Sequence, residues 1–404
     1  MPISKGTSKT LSYKKESTWG TLAGAASGKQ VRRVTGQFNL AKETYESNEL
    51  RTDRQVADVR HGVRSAAGSL NGELSPKTYS DFMQSLVARD FAAVSATAPA
   101  TFTTAGSGPT YTITRATGDW LASGFQVGQV IRITAGTGAN ANNLNKNLLI
   151  ISMTTLVLTV IVLNGSAFTG SSITAAGVIA VTGKATYVPA TAHTDDSYTI
   201  EEWYSDIAQS EVYTGMKVGS MNVQLPATGL TTVDFSFQGK DLTSKGTTQY
   251  FTSPTAQGTD GIFAAVQGAL VVNGAPVALV TSADFSVERT LENATAVGSN
   301  SIADIFTGRI RVSGNLSVYF QDATVRDYFD SETPVSLVMA LTTNSTATAD
   351  FVSFTLPKIK INSFEKNDAE LGLVASCSFQ ALLNDVTTGG LPATTIAIQD
   401  STLV

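Results

Sequence analysis

Few residues in this chain have side chains suited to chemistry. Its 404 residues include two histidines, His61 and His193, and one cysteine, Cys377. A zinc site draws three or four ligands, largely from His and Cys, so the supply argues against one. The counts leave room for a Ser-His-Asp relay, but no nucleophile-elbow motif supports one. Glycoside hydrolysis needs two carboxyl groups facing each other across a cleft. The acidic residues are scattered, and no pair stands out. Cys377 lies in the alternating run Val374-Ala-Ser-Cys-Ser-Phe379, where a buried inert thiol is expected. A lone cysteine also excludes an intramolecular disulfide framework. The expectation is a protein without catalysis, metal or cofactor.

The remaining sequence must therefore be read for architecture. Hydrophobic residues make up 42%, enough for real cores, and the length suggests two or three domains. Charged residues are only 15%, against roughly 25% in an average globular protein, as in a chain that covers much of its surface with partners. The net charge of −5 excludes a general nucleic-acid binder. That charge is unevenly spread. Residues 1–64 hold 12 Lys/Arg and 6 Asp/Glu, whereas the other 340 hold 16 and 27. A basic arm on an acidic body can dock on a neighbour of opposite sign, or remain solvated. The polar opening Met1-Pro2-Ile3-Ser4-Lys5 does not read as a secretory signal. The uncharged run 148–163 is too short to span a membrane as a helix and reads as two packed strands turning at Met153-Thr154-Thr155.

Short β-branched runs, such as Val130-Ile-Arg-Ile133 and Val233-Asp-Phe-Ser-Phe237, alternate with Gly, Asn and Ser clusters and predict strands. Asn273-Gly274 predicts a hairpin. Two helices interrupt the pattern. One is expected from Ser75-Pro76, with Tyr79, Phe82, Met83, Leu86 and Val87 on one face. The other is expected near Asp322, with Val325, Tyr328 and Phe329. They mark an internal repeat. Residues 56–83 and 302–329 share seven identities in 28 positions, among them Ala57-Asp58 with Ala303-Asp304, Gly62 with Gly308 and Gly68 with Gly314. Upstream, Val34-Thr35 and Thr44-Tyr45-Glu46 fall on Val280-Thr281 and Thr290-Leu291-Glu292 at the same offset of 246. Downstream, Ser236-Phe237-Gln238 matches Ser378-Phe379-Gln380 at 142, so the first half carries 104 additional residues.

The expected fold is mainly β (α+β): two tandem β-sandwich or barrel domains, each with one packed helix, plus a small inserted β domain. The boundaries are an N-terminal arm over 1–30, extended or loosely held, and a first domain over 31–95 with 196–245. An inserted β domain covers 96–195, a second domain 246–385, and a C-terminal tail 386–404.

The stretch Tyr45-Glu-Ser-Asn-Glu-Leu-Arg-Thr-Asp-Arg-Gln-Val-Ala-Asp-Val-Arg-His-Gly62 resembles major tail tube proteins of long-tailed, non-contractile bacteriophages. So does Gly68-Ser-Leu-Asn-Gly-Glu-Leu-Ser-Pro-Lys-Thr-Tyr-Ser-Asp-Phe82. The resemblance implies a virion protein, made in the host cytoplasm, whose stacked rings join into a continuous β-barrel. A duplicated subunit would need three chains for a six-part ring. Implied partners are further copies of the chain, the tape measure, tail terminator and distal tail proteins, and double-stranded DNA passing without specific binding. No membrane insertion is implied. An acidic body suits a lumen along which DNA slides. The resemblance also makes the loop bearing Glu46, Glu49, Arg51, Asp53 and Arg54 a candidate contact with the next subunit or ring, with a solvated hairpin as the alternative. Its counterpart, 290–300, keeps Glu292 but lacks the arginines. The inserted domain would project from the outer surface. Rival readings are a distal tail or baseplate-hub protein of related fold, or a β-domain adhesin.

Overall fold

Burial of every second side chain sets the architecture. Along Thr232–Gly239, Val233, Phe235 and Phe237 point inward while their neighbours do not. The computed structural model describes residues 3–403 except 107, 166, 278–279, 321–323, 369–371 and 387. It is mainly β, with eighteen strands in one large branched sheet and seven in a second.

Ahead of the second sheet come β1 (Lys9–Lys15), β2 (Lys29–Gln30), β3 (Thr35–Glu46), β4 (Val59–Glu73), α1 (Ser80–Val87) and β5 (Ala92–Ala93). After it come β13 (Lys184–Tyr187), β14 (Tyr198–Tyr204), β15 (Gln209–Pro226), β16 (Thr232–Gly239) and β17 (Asp241–Gly246). These strands form a first unit with the antiparallel order β3-β4-β16-β15-β14-β1. A second unit uses β18 (Gly268–Val272), β19 (Ala275–Pro276), β20 (Val280–Ala294), β21 (Asp304–Tyr319), α2 (Thr324–Asp330), β22 (Val335–Thr342), β23 (Phe351–Lys366), β24 (Val374–Ala381) and β25 (Ala397–Asp400). Its order, β20-β21-β24-β23-β22-β18, is the same pattern.

Several expectations need correction. The segment 1–30 is not loose, because β1 pairs with β14 along its whole length and buries Leu11 and Tyr13. The 386–404 tail contributes β25, which pairs with β13 and β23. The first helix begins at Ser80, not at Ser75-Pro76. Lys77 takes a left-handed conformation (φ 63°) and holds the chain in a turn before the helix. Phe82, Met83, Leu86 and Val87 are buried as expected, and the Phe82 ring sits 4.7 Å from Tyr13 and 5.2 Å from Phe237. Asp322 lies outside the described residues.

The register also shifts the repeat by one residue. Gly68 faces Phe38, and Gly314 faces Phe285. The glycines are 246 apart and the phenylalanines 247, so β3 and β20 correspond one position away from the sequence match at Thr44 and Thr290. Both first strands carry β-bulges, which absorb such slips.

The second sheet comprises β6 (Phe102–Gly106), β7 (Thr110–Thr114), β8 (Val130–Thr137), β9 (Leu148–Met153), β10 (Val157–Val162), β11 (Ser171–Ile173) and β12 (Ala175–Val181). Its order is β11-β6-β7-β10-β9-β8-β12. The two outer strands are consecutive in the chain, so the sheet wraps round a core that includes Trp120, Phe125 and Ile113. The apolar run 148–163 is the β9–β10 hairpin. Leu148 and Ile150 face this core, while Leu149 and Ile151 pack on Val338, Ala340 and Phe351 of the second unit. On β22 the same division holds. Leu337, Met339 and Leu341 face the main core, and Val338 and Ala340 face the inserted sheet. Burial on both faces explains why these strands read as continuous apolar runs. No helix among the described residues is long and apolar enough to cross a membrane.

Candidate assembly surfaces

The charged loop runs from the end of β3 to the start of β4. Ser47 N–H donates to the Asp58 carbonyl at 2.9 Å and closes its base. Arg54 is left-handed (φ 56°) and its N–H reaches the Arg51 carbonyl at 3.2 Å, forming a tight turn at the tip. Arg51 grips Asp53 through two nitrogens, Nε to Oδ1 at 3.0 Å and Nη2 to Oδ2 at 2.9 Å. That hydrogen bond holds the Asp53 carboxyl below the usual carboxylate range. Glu46, Glu49 and Arg54 are exposed and lack ion-pair partners among the described residues. Sequence reasoning singled out the charges and missed the apolar side chains between them. Leu50 is fully exposed, and Val56 and Val59 are also exposed. In the second unit, the β20–β21 hairpin exposes the large apolar residues Val297 and Phe306. Two long hairpins thus present solvent-facing apolar groups, as contact surfaces do.

The two units meet edge to edge. β15 is long enough to serve both. Its first half pairs with β14, and its second half pairs with β20 in an antiparallel register from Ser220↔Glu288 to Pro226↔Ser282. Met221, Val223, Phe285 and Val287 are fully buried along this joint. A polar clamp closes one end. Lys217 Nζ of β15 donates to Asp195 at 2.6 Å and to the Ile305 carbonyl of β21 at 2.8 Å. Arg289 of β20 reaches the other Asp195 oxygen at 3.2 Å. Burial pulls the Arg289 guanidinium below its ordinary pKa, and Asp195 opposes that shift. The one sequence signal for Lys217 is a lysine set between the apolar Met216 and Val218.

The basic N-terminal segment turns inward on its own chain. Lys9 pairs with Glu202 at 2.6 Å, Lys15 with Asp196 at 2.7 Å and Lys29 with Asp81 at 2.6 Å. Glu202 also accepts the Phe38 N–H at 2.9 Å, and the Tyr213 hydroxyl donates to the Phe38 carbonyl at 2.8 Å. These side chains cap the outer edge of β3 at that residue. Cys377 is buried in the second unit, and burial pushes its thiol up to about 11.

The arrangement leaves strand edges and two hairpin tips exposed. A family model described as "Phage tail tube protein" matches residues 6–381. The chain belongs to the phage tail tube protein family, and is thus a structural component of a phage tail. Comparison with curated proteins gives no match. Among solved structures, a chain from "Cryo-EM structure of the anti-feeding prophage (AFP) baseplate, 6-fold symmetrised" is similar at 11% identity and a TM-score of 0.22. The similarity covers 34% of this chain and 93% of that one.

Proposed function

We propose that this protein is the repeating subunit of the tube, with three chains closing a ring of six equivalent units. Rings stack, and DNA leaves the virion through the bore. The protein acts by self-assembly, without chemistry of its own. The observation that carries this reading is the β15–β20 joint, where two units of one strand order meet edge to edge. Repeating the same step between chains closes a ring through unlike edges and removes the exposed strand edges that would otherwise promote aggregation. The exposed hairpins, with Leu50 and Val297 at their tips, suit contacts between rings. The excess of acidic residues beyond position 64 suits a wall along which a polyanion slides.

Negative-stain electron microscopy across a concentration series, with the mass of the ring, tests this. Rings or hollow tubes with a six-part section and three chains per ring are expected. Rings of another chain number would refute the stoichiometry. Monomers at every concentration would favour a distal tail or baseplate-hub role.

A further inference from the structure

The internal joint has a vacant counterpart at each end of the chain, and we propose that these two edges pair between neighbouring chains in a defined register. This rests on the ring reading above. Phe235 faces Met221, and Cys377, 142 positions on, faces Phe364. Met221 on β15 therefore corresponds to Phe364 on β23, and β3 corresponds to β20 through Phe38 and Phe285. In the internal joint Met221 faces Val287, and Ser220 faces Glu288. Carried to the chain ends, Phe364 faces Leu40 of the next chain and Ser363 faces its Ala41.

Three observations support these edges. The first is backbone direction. Asn367 N–H donates to the Val374 carbonyl of β24, so the Phe364 backbone groups point away from β24. On β3, Phe38 directs its N–H and carbonyl away from β4, towards Glu202 and Tyr213, so Leu40 and Lys42 do the same. No partner for them on that side is present among the described residues. The second is burial. Met221 and Val287 are fully buried, whereas Phe364 and Leu40 are only half-buried, as expected of the same joint before its partner arrives. The third is charge. By the same registers Lys217 corresponds to Lys360 and Arg289 to Lys42, and Asp195 and Glu332 each lie three residues ahead of the matching paired positions Tyr198 and Val335. Lys360 already grips Glu332 at 2.6 Å, the pairing that Lys217 makes with Asp195. The third member, Lys42, has no ion pair among the described residues and would come from the neighbouring chain.

The Glu202 and Tyr213 caps limit this ladder. Their counterparts in the second unit are Met339 and Leu356, both apolar, which leaves Phe285 to β15. Between chains, pairing stops short of Phe38 and rests on Leu40 with Phe364 and Ala41 with Ser363.

The Ala41–Ser363 pair lies next to Leu40 and Phe364. Its Cα atoms would approach to about 4.5 Å, within the roughly 4.4–6.8 Å that a disulfide spans. The full-length double variant Ala41→Cys/Ser363→Cys, oxidised after assembly, should give covalent trimers on a non-reducing gel. A mixture of the two single variants should stop at dimers. The off-register variant Ala41→Cys/Glu365→Cys should lose the product. Circular dichroism confirms folding of each variant. Rings on the microscope grid without the in-register cross-link, or with equal off-register yield, would overturn this register and leave the ring reading standing. Absence of rings in the wild type would overturn both.

Discussion

Glu202→Ala should destabilise the first unit by about 4 kcal/mol. The Glu202 carboxylate is 2% exposed and holds Lys9 Nζ at 2.6 Å, with Lys9 itself 11% exposed. It also accepts the Phe38 N–H at 2.9 Å and the Tyr204 hydroxyl at 2.8 Å. Alanine leaves a buried ammonium without its counter-charge, which costs about 3–5 kcal/mol. It also orphans a buried amide donor, worth about 1–3 kcal/mol alone. Both penalties are relieved by the same entering water, so they do not add fully. Glutamine keeps an acceptor for Phe38 and loses the charge, so Glu202→Gln should cost about 1.5–3 kcal/mol. Urea unfolding of the monomer, followed by tryptophan fluorescence, measures both. A second readout is the Tyr204 phenol, which burial and then the Glu202 hydrogen bond push above its usual range. Its titration should move down in Glu202→Ala. A loss below about 1 kcal/mol would refute the reasoning, since that is the scale of an exposed pair.

The other predictions concern packing, titration and assembly. A methyl group on Gly68 would fall on the Phe38 ring, a side chain that can rotate, whereas one on Gly314 would fall on the Asp284 carbonyl, which cannot. Gly68→Ala should cost about 1–3 kcal/mol, and Gly314→Ala more, by thermal melts. Cys377 should resist a thiol reagent at neutral pH in the native state and react at once in urea, because its thiol is buried and pushed up to about 11. Burial raises the Asp400 carboxyl above 3.8 despite its bond from Lys77 N–H. The native state thus holds a proton that the unfolded chain has released, so this group's contribution to stability falls as pH climbs from about 3.8 through the raised value. Urea midpoints should show that slope flattened in Asp400→Asn. Leu50→Glu should leave folding within about 0.5 kcal/mol and shorten the tubes seen by negative stain, because Leu50 touches solvent only in the free chain.

What the sequence revealed was set by periodicity. Val233, Phe235 and Phe237 alternate plainly, Asn273-Gly274 sits in the β18–β19 turn, and Gly68 and Gly314 mark matching strands. What it hid depended on tertiary context. β1, Lys9–Lys15, reads as a polar arm because three of its seven residues are lysines, yet β14 supplies it with a ladder and carboxylates. β25 is four residues long and gains its strand character from β13 and β23. The start of α1 was misplaced because Ser75-Pro76 is a good helix start locally, while the left-handed Lys77 delays it. The single-residue slip between β3 and β20 could not be read, since a bulge moves pairing without changing residue types. At the candidate surfaces the charges of the 47–58 loop were visible, but the Lys217–Asp195–Arg289 clamp joins residues far apart in the chain.

The inserted sheet leaves the first unit after β5 and returns at β13, yet it rests on β22 and β23 of the second. It therefore spans the hinge between the two units like a brace. In a ring of three chains, three hinges would carry this brace, the Lys217 clamp and a ladder of seven pairs, and three would carry only the short ladder between chains. Bending strain would gather at the softer three. A wall of six similar staves would flex as three stiff panels, and its stiffness, unlike its outline, would have threefold symmetry.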